Sequence, residues 1–398
     1  MKMPKEWLKQ TGLVLALCLG AALIGALAGS WAGSMTAKQW LEEQKTVQGL
    51  HLTNGTSTQS GKTSPIVATS TQIRLVELAS GQNAMRTVPD SVLTRKSPTA
   101  TLYVQRHTLP QDNVLRVSEE TARAVAVTAD GWFVTAALAL EGIRAADVTL
   151  WYDHQAYKID KAVADKATGA LFLKTSAHDL PAPAFVSASG KRAGLAVWIE
   201  SDPEEFTQST VSAYRLADYG AGISSDKVER RLVVQTELKA AERGAPLWDT
   251  NGSLVGVVER LDSGQAWALS ASAVSASLQG LVSDGEIKHA SLGVNSFNLA
   301  SMRLAAIEPG LPNRGAWLKD DKKVAAVTRG GAGEKAGLKS GDVILQIDRD
   351  ILDSDLDLSD VVMQYKPGVT VTFRVWRQDK EIELPVTFGT QTTGQAVP

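Results

Sequence analysis

A chain of 398 residues is longer than one ordinary core requires, which points to two or more domains joined by linkers. Lys and Arg total 41 against 43 Asp and Glu, with no basic stripe, and this near-neutral balance argues against nucleic acid as the principal partner. The single cysteine, Cys18, excludes an intrachain disulfide and any cysteine-built metal site, and no cofactor or metal is expected.

No charged residue occurs from Gln10 to Ala37, and Gly12 to Ala28 is almost wholly apolar. A helix needs roughly 20 such residues to cross a bilayer, so residues 1–34 are expected to form a short cytoplasmic N-terminus and a transmembrane helix. Lys2, Lys5 and Lys9 precede the run, an arrangement that keeps the N-terminus inside and sends the remainder outward. The rival is a cleaved signal peptide ending near Ala26-Leu27-Ala28. Continuation of the uncharged run to Ala37 favours the uncleaved anchor, and Leu17, where a small residue would precede a lipidated Cys18, disfavours a lipoprotein. Residues 35–88 read as a juxtamembrane helix followed by a flexible linker rich in Ser, Thr, Gly and Gln.

From about Pro89, short apolar runs alternate with turn signals, as in an all-β barrel or sandwich. The expected strands are Ala100 to Val104, Ala122 to Thr128, Trp132 to Thr135, Val148 to Tyr152, Leu171 to Lys174, Leu195 to Ile199, Thr210 to Tyr214 and Leu232 to Thr236. Asp130-Gly131 is a hairpin turn between two of them. Ser270 to Leu281 carries Val274, Leu278 and Leu281 at helical spacing and closes a domain spanning 89–284.

A second, α+β unit covers 290–389. It is expected to contain a short helix around Ala332 to Ala336, the turn Gly337 to Asp342, a helix from Leu356 to Met363 and a closing hairpin across Gln378-Asp379. The polar tail, 390–398, is expected to be disordered.

Several segments together resemble the HtrA (DegP-like) family. Thr128 to Thr135 looks like the family's strand-turn-strand before its catalytic histidine, and Asp165 to Lys174 like the segment carrying its catalytic aspartate. Gly244-Ala245-Pro246-Leu247, with Asn251-Gly252 and Val255-Gly256, looks like the loop and strand after its catalytic serine. Ser291-Leu292-Gly293-Val294 and the Ala336 to Asp342 turn look like a PDZ domain's ligand loop and its hallmark turn. The resemblance implies a mostly β chain: a trypsin-like double β-barrel followed by a PDZ domain, behind an N-terminal transmembrane helix.

At the three positions where the family carries its catalytic triad, this sequence has Leu138, Gly169 and Arg243. Serine becomes a nucleophile only when a histidine accepts its proton, and a carboxylate must hold that histidine. Leucine takes no proton, glycine orients nothing, and arginine stays protonated. None of His51, His107, His154, His178 or His289 lies near Leu138, and no serine occurs between Thr236 and Ser253. Ala241-Glu242 replaces the glycine-led approach of an oxyanion hole. Arg243 reads either as a solvated residue paired with Glu242 or Glu237, or as a fixed cation holding a carboxylate. Trp132, Trp248 and Trp267 read as core rather than as a cleft lining.

The resemblance thus implies a membrane-anchored, single-pass pseudoprotease with extracytoplasmic domains, acting as scaffold or regulator in envelope protein quality control. Its PDZ domain would bind peptide C-termini or unfolded segments as an added strand, the backbone N–H groups of Ser291, Leu292, Gly293 and Val294 capturing a terminal carboxylate. The competing reading is an active HtrA-type serine endopeptidase with displaced catalytic residues. By analogy with the family, a homotrimer or a mixed oligomer with an active relative is implied.

Overall fold

The computed structural model describes residues 75–76, 88–93, 96–104, 115, 119–188, 193–202, 205–215, 222–302, 310–321 and 324–397. The expected transmembrane helix, juxtamembrane helix and linker lie outside these residues apart from β1 (Leu75–Val76) and Val88. Among the described residues no helix is long and apolar enough to cross a membrane.

The first barrel is built from β2 (Thr99–Val104), β3 (Glu120–Ala126), β4 (Trp132–Ala136), β5 (Val148–Tyr152), β6 (Gln155–Lys158), β7 (Lys161–Asp165) and β8 (Ala170–Lys174). They are ordered β7-β8-β4-β3-β2-β5-β6, so sequence neighbours mostly pair antiparallel. The second barrel uses β9 (Phe185–Val186), β10 (Ala196–Asp202), β11 (Glu205–Arg215), β13 (Arg231–Gln235), β14 (Pro246–Trp248), β15 (Leu254–Asp262) and β16 (Gln265–Ser270). β15 pairs with β16, and β1 joins at β9. A short strand, β12 (Ile223–Ser224), lies between β11 and β13 in sequence but leaves this barrel altogether.

Burial explains the two barrels. Leu102, Phe133, Leu150, Phe172 and Leu173 point into the first core, and Val211, Leu232, Leu247, Val255 and Val258 into the second. Trp248, Trp132 and Trp267 are all buried, as expected of bulky aromatics in barrels. The indole of Trp248 donates to Glu200 Oε2 at 2.7 Å, which satisfies its only polar atom. The helix Ala271–Asp284 starts where the Ser270 hydroxyl accepts from the Ala273 amide and stops at Gly285, whose φ is +73°.

The PDZ unit comprises β17 (Lys288–Ser291), β18 (Asn295–Asn298), β19 (Ala316–Leu318), β20 (Val343–Ile347), β21 (Asp350–Ile351), β22 (Thr370–Arg377) and β23 (Lys380–Thr387), with short helices at Ala332–Lys335 and Leu358–Val362. In β22 the residues Val371, Phe373 and Val375 are buried while their neighbours face outward, the alternation of a one-sided sheet. Gln378 and Asp379 both have positive φ, the geometry a two-residue hairpin requires.

The tail is a correction. Instead of being disordered, it forms β24 (Gly389–Thr392), paired with β17, and β25 (Gly394–Ala396), paired with β7 of the first barrel. Its polar side chains hid this, because an edge strand needs only backbone partners. Gly389 and Ser291 are direct pairing partners, so the chain enters and leaves the PDZ unit along one two-stranded ribbon.

Candidate functional site

Leu138, Gly169 and Arg243 come together at one corner between the barrels. A guanidinium N–H of Arg243 points to the Leu138 carbonyl at 3.5 Å, and the amide of Ala137 donates to the Gly169 carbonyl at 2.9 Å. Leu138 lies in the turn Ala137–Leu140 after β4 and is 40% exposed. Arg243 caps the turn Ala240–Glu242 and its Nε donates to the Ala240 carbonyl at 3.1 Å. The pairing expected for it is not what holds it: Glu242 instead accepts from the Lys239 amide at 2.7 Å, closing the turn.

The backbone next to Arg243 is tightly held. Gly244 has φ +90°, and a Cβ there would sit 1.8 Å from the Arg123 carbonyl, so no other residue fits. Arg243 itself accepts at its carbonyl from the Arg123 amide at 2.7 Å. Its own amide turns back to Ala240 at 3.4 Å, spending an N–H that an oxyanion hole would need.

The space beside Gly169 is filled by other groups. Arg231 and Glu259 form a two-pronged ion pair, at 2.6 and 3.0 Å, and Arg231 also donates to the Thr168 carbonyl at 3.1 Å. A Cβ on Gly169, whose φ is +88°, would lie 2.9 Å from Glu259 Oε1 and 3.1 Å from Arg231 Nη2. Nothing in the local sequence of Gly169 announced this pair, since its members lie 62 and 90 positions further along.

A Ser/His/Asp set does exist elsewhere. Asp165 Oδ2 accepts from Ser277 at 2.6 Å, from His289 Nε2 at 2.8 Å and from Thr168 at 2.8 Å, while Oδ1 accepts from the Ala167 amide at 3.0 Å. Serine and histidine both address the carboxylate and do not form a chain from hydroxyl to imidazole, and all three are buried. Burial alone would raise the Asp165 carboxyl. The hydrogen bond and charge of His289, with the Ser277 hydroxyl, outweigh it and hold the group well below the usual carboxylate range. This cluster joins β7, the helix Ala271–Asp284 and β17, and is a structural clasp. His154 sits at φ +61° in the exposed β5–β6 turn, and His178 is exposed beside Asp179.

The loop Ser291-Leu292-Gly293-Val294 has the other geometry that matters. Gly293 has φ +72°, which turns successive amides to one side. The amides of Leu292 and Gly293 donate to one carboxylate oxygen at 2.9 and 3.1 Å, and the Ser291 hydroxyl donates to the second oxygen. That carboxylate belongs to Asp226, two residues after β12. β12 pairs antiparallel with β18 in the register Ile223 to Ser296 and Ser224 to Asn295. Ser225 continues the pairing: its amide donates to the Val294 carbonyl at 2.8 Å, and its hydroxyl accepts from the Val294 amide at 3.1 Å. Asp226 was not legible from sequence as a binding residue, because Ser224-Ser225-Asp226-Lys227 reads as an ordinary polar turn.

Next to this contact the second barrel also grips the helix Leu358–Val362. Tyr214 donates to Asp360 Oδ1 at 2.5 Å, and the Arg230 guanidinium stacks on the Tyr214 ring at 4.4 Å and donates to the Ser354 carbonyl. Burial and then the Asp360 charge push the Tyr214 hydroxyl well above its ordinary value, so it stays a donor. Ala167, Val228, Ala273 and Met363 form a small apolar seam across the same junction.

Mostly β, with two trypsin-like barrels and a PDZ domain: this is the architecture of HtrA proteins. A family model described as "PDZ domain" matches residues 308–388. Curated relatives include a probable periplasmic serine endoprotease DegP-like of Bartonella henselae, 30% identical over 187 residues, covering 45% of this chain and 34% of the relative. Another of the same description, from Marinomonas sp., is 26% identical over 277 residues, covering 66% and 55%. The periplasmic pH-dependent serine endoprotease DegQ of Escherichia coli is 25% identical over 182 residues, covering 44% and 38%. The chain therefore spans between about a third and just over half of the length of these relatives. Among solved structures, the HtrA-type protease AlgW with decapeptide matches in fold at a TM-score of 0.50 and 20% identity, covering 76% of this chain and 98% of that one. The chain has a PDZ domain and is homologous to the DegP/HtrA serine proteases.

Proposed function

We propose that this chain is a non-catalytic HtrA-like protein that binds C-terminal or unfolded peptide segments through its PDZ domain. The observation that carries the reading is the pair of amides of Leu292 and Gly293 converging on a single carboxylate oxygen, the geometry a peptide C-terminus needs. Ser291, Leu292, Gly293 and Val294 are the capturing residues, and β18 is the edge to which the peptide adds. Leu138, Gly169 and Arg243 supply neither nucleophile nor base, so the barrels serve as scaffold. A solved structure of similar fold is that of an HtrA-type protease with a decapeptide, which agrees with a peptide ligand here.

In this reading residues 1–34 anchor the chain in a membrane and 35–88 hold the globular part away from it. Residues 89–284 form the degenerate barrels and 290–389 the peptide-binding unit. The relatives' periplasmic setting fits an extracytoplasmic scaffold or regulator of protein quality control, in a homotrimer or with an active relative. Two measurements test it. Casein and peptide cleavage by the soluble part, with a covalent serine-hydrolase probe, should give no turnover and no labelling; robust turnover would establish the peptidase reading instead. A C-terminal peptide library should be enriched by the protein and lost in Gly293→Val, since the loop conformation at φ +72° disfavours a β-branched residue.

A further inference from the structure

The PDZ site holds a carboxylate already, and it is the chain's own. β12 lies on the edge of β18 as an added strand, antiparallel, with β19 on the other edge, so the sheet order runs β12-β18-β19-β20-β22-β23. Ser225 extends the pairing to Val294, and Asp226 then offers its side-chain carboxylate to the amides of Leu292 and Gly293. These are the groups that a peptide's last residues would use. A carboxylate oxygen at 2.9 and 3.1 Å from both amides leaves them no capacity for a second carboxylate. Ile223 is 5% exposed, so the segment is buried where it pairs with β18.

We propose that the segment Gly222–Asp226 is a built-in competitor for the C-terminal peptide site, keeping the PDZ unit closed until a free α-carboxylate displaces it. The proposal rests on the peptide-binding reading and adds its regulation. Being tethered, the internal strand binds at high effective concentration, so an incoming peptide has to overcome the fraction of time for which the site is filled. Tyr214 and Arg230, which flank the segment in sequence and grip Asp360 and Ser354, hold it in register. Displacement of Asp226 therefore loosens the junction between second barrel and PDZ unit as well as opening the site.

The test uses the full chain with Cys18→Ser, in four forms: otherwise unaltered, Asp226→Ala, Asp226→Asn, and Ser224→Cys/Asn295→Cys oxidised to lock the observed register. Peptides are selected on the Asp226→Ala protein from a random decapeptide library with free α-carboxylates. The tightest is labelled and titrated into all four forms by anisotropy, with its C-terminally amidated version alongside. The same proteins are followed by hydrogen exchange at residues 292–296. The expected result is loss of protection at 292–294 in Asp226→Ala and at least tenfold tighter peptide binding than in the unaltered chain. Asp226→Asn should fall between, the locked form should bind nothing, and the amidated peptide should bind none of them. A tenfold gain corresponds to an internal ligand in place for roughly nine-tenths of the time or more. Equal affinity in the unaltered, Asp226→Ala and locked forms overturns the competition and leaves peptide binding standing. Loss of protection in Asp226→Ala with no peptide selected overturns both. Unchanged protection overturns the competition whatever binds.

Discussion

The corner at Leu138, Gly169 and Arg243 and the loop at Ser291–Val294 each depend on glycine at positive φ, but only in the loop do backbone amides converge on one acceptor. At the corner the side chains of Leu138 and Arg243 offer neither nucleophile nor base, while Gly244 and its contact with Arg123 hold the turn in shape. At the loop the chemistry belongs to backbone amides, which any sequence supplies so long as Gly293 keeps the turn. On the proposed function, a reaction written in side chains has gone while a recognition site written in backbone geometry stays.

The largest expected effect tests whether the corner's backbone is as indispensable as the loop's. Gly244→Ala should cost about 4 kcal/mol, from positive φ and from a Cβ driven into the Arg123 carbonyl, read as a fall in the urea midpoint. A neutral result would mean the turn is not held by that approach. His289→Ala should cost about 2–4 kcal/mol by leaving the buried Asp165 carboxylate without its main partner.

The pH dependence has a definite sign. Asp165 is depressed when folded, so its contribution is complete above the ordinary carboxylate value of about 4 and is lost as pH falls through the lower folded value. Denaturation from pH 5 to 3 should therefore destabilise the unaltered protein more than His289→Ala. Arg243→Ala should change stability by less than about 0.5 kcal/mol, its contacts being exposed hydrogen bonds to carbonyls. Smallest of all, Leu138→His/Gly169→Asp/Arg243→Ser should give no casein cleavage above background, since Glu259 and Arg231 fill the space an aspartate at 169 would enter. Cleavage by that triple variant would show that only side chains had been lost.

The barrels and the PDZ unit were legible because strands such as Thr370–Arg377 alternate and turns such as Gln378-Asp379 have the residues tight hairpins need. The convergence of Leu138, Gly169 and Arg243 was legible only through resemblance, as each lies in a different loop. What stayed hidden depends on partners distant in sequence. Asp226 is an ordinary turn residue until β18 is brought beside it, and Arg231 and Glu259 become a plug only when β13 and β15 approach Gly169. The tail misled for the opposite reason: its polarity is real, but β17 and β7 offer it backbone partners.

That tail changes the mechanics of the PDZ unit. A domain joined through one connection can pivot in any direction, like a ball in a socket. Here the strand leading in at Ser291 and the strand leading out at Gly389 are hydrogen-bonded neighbours, and β25 fastens the outgoing chain to β7. A two-stranded ribbon bends far more readily across its flat face than in its own plane. The unit is thus fastened like a door along one edge, both of its chain ends held on the same side.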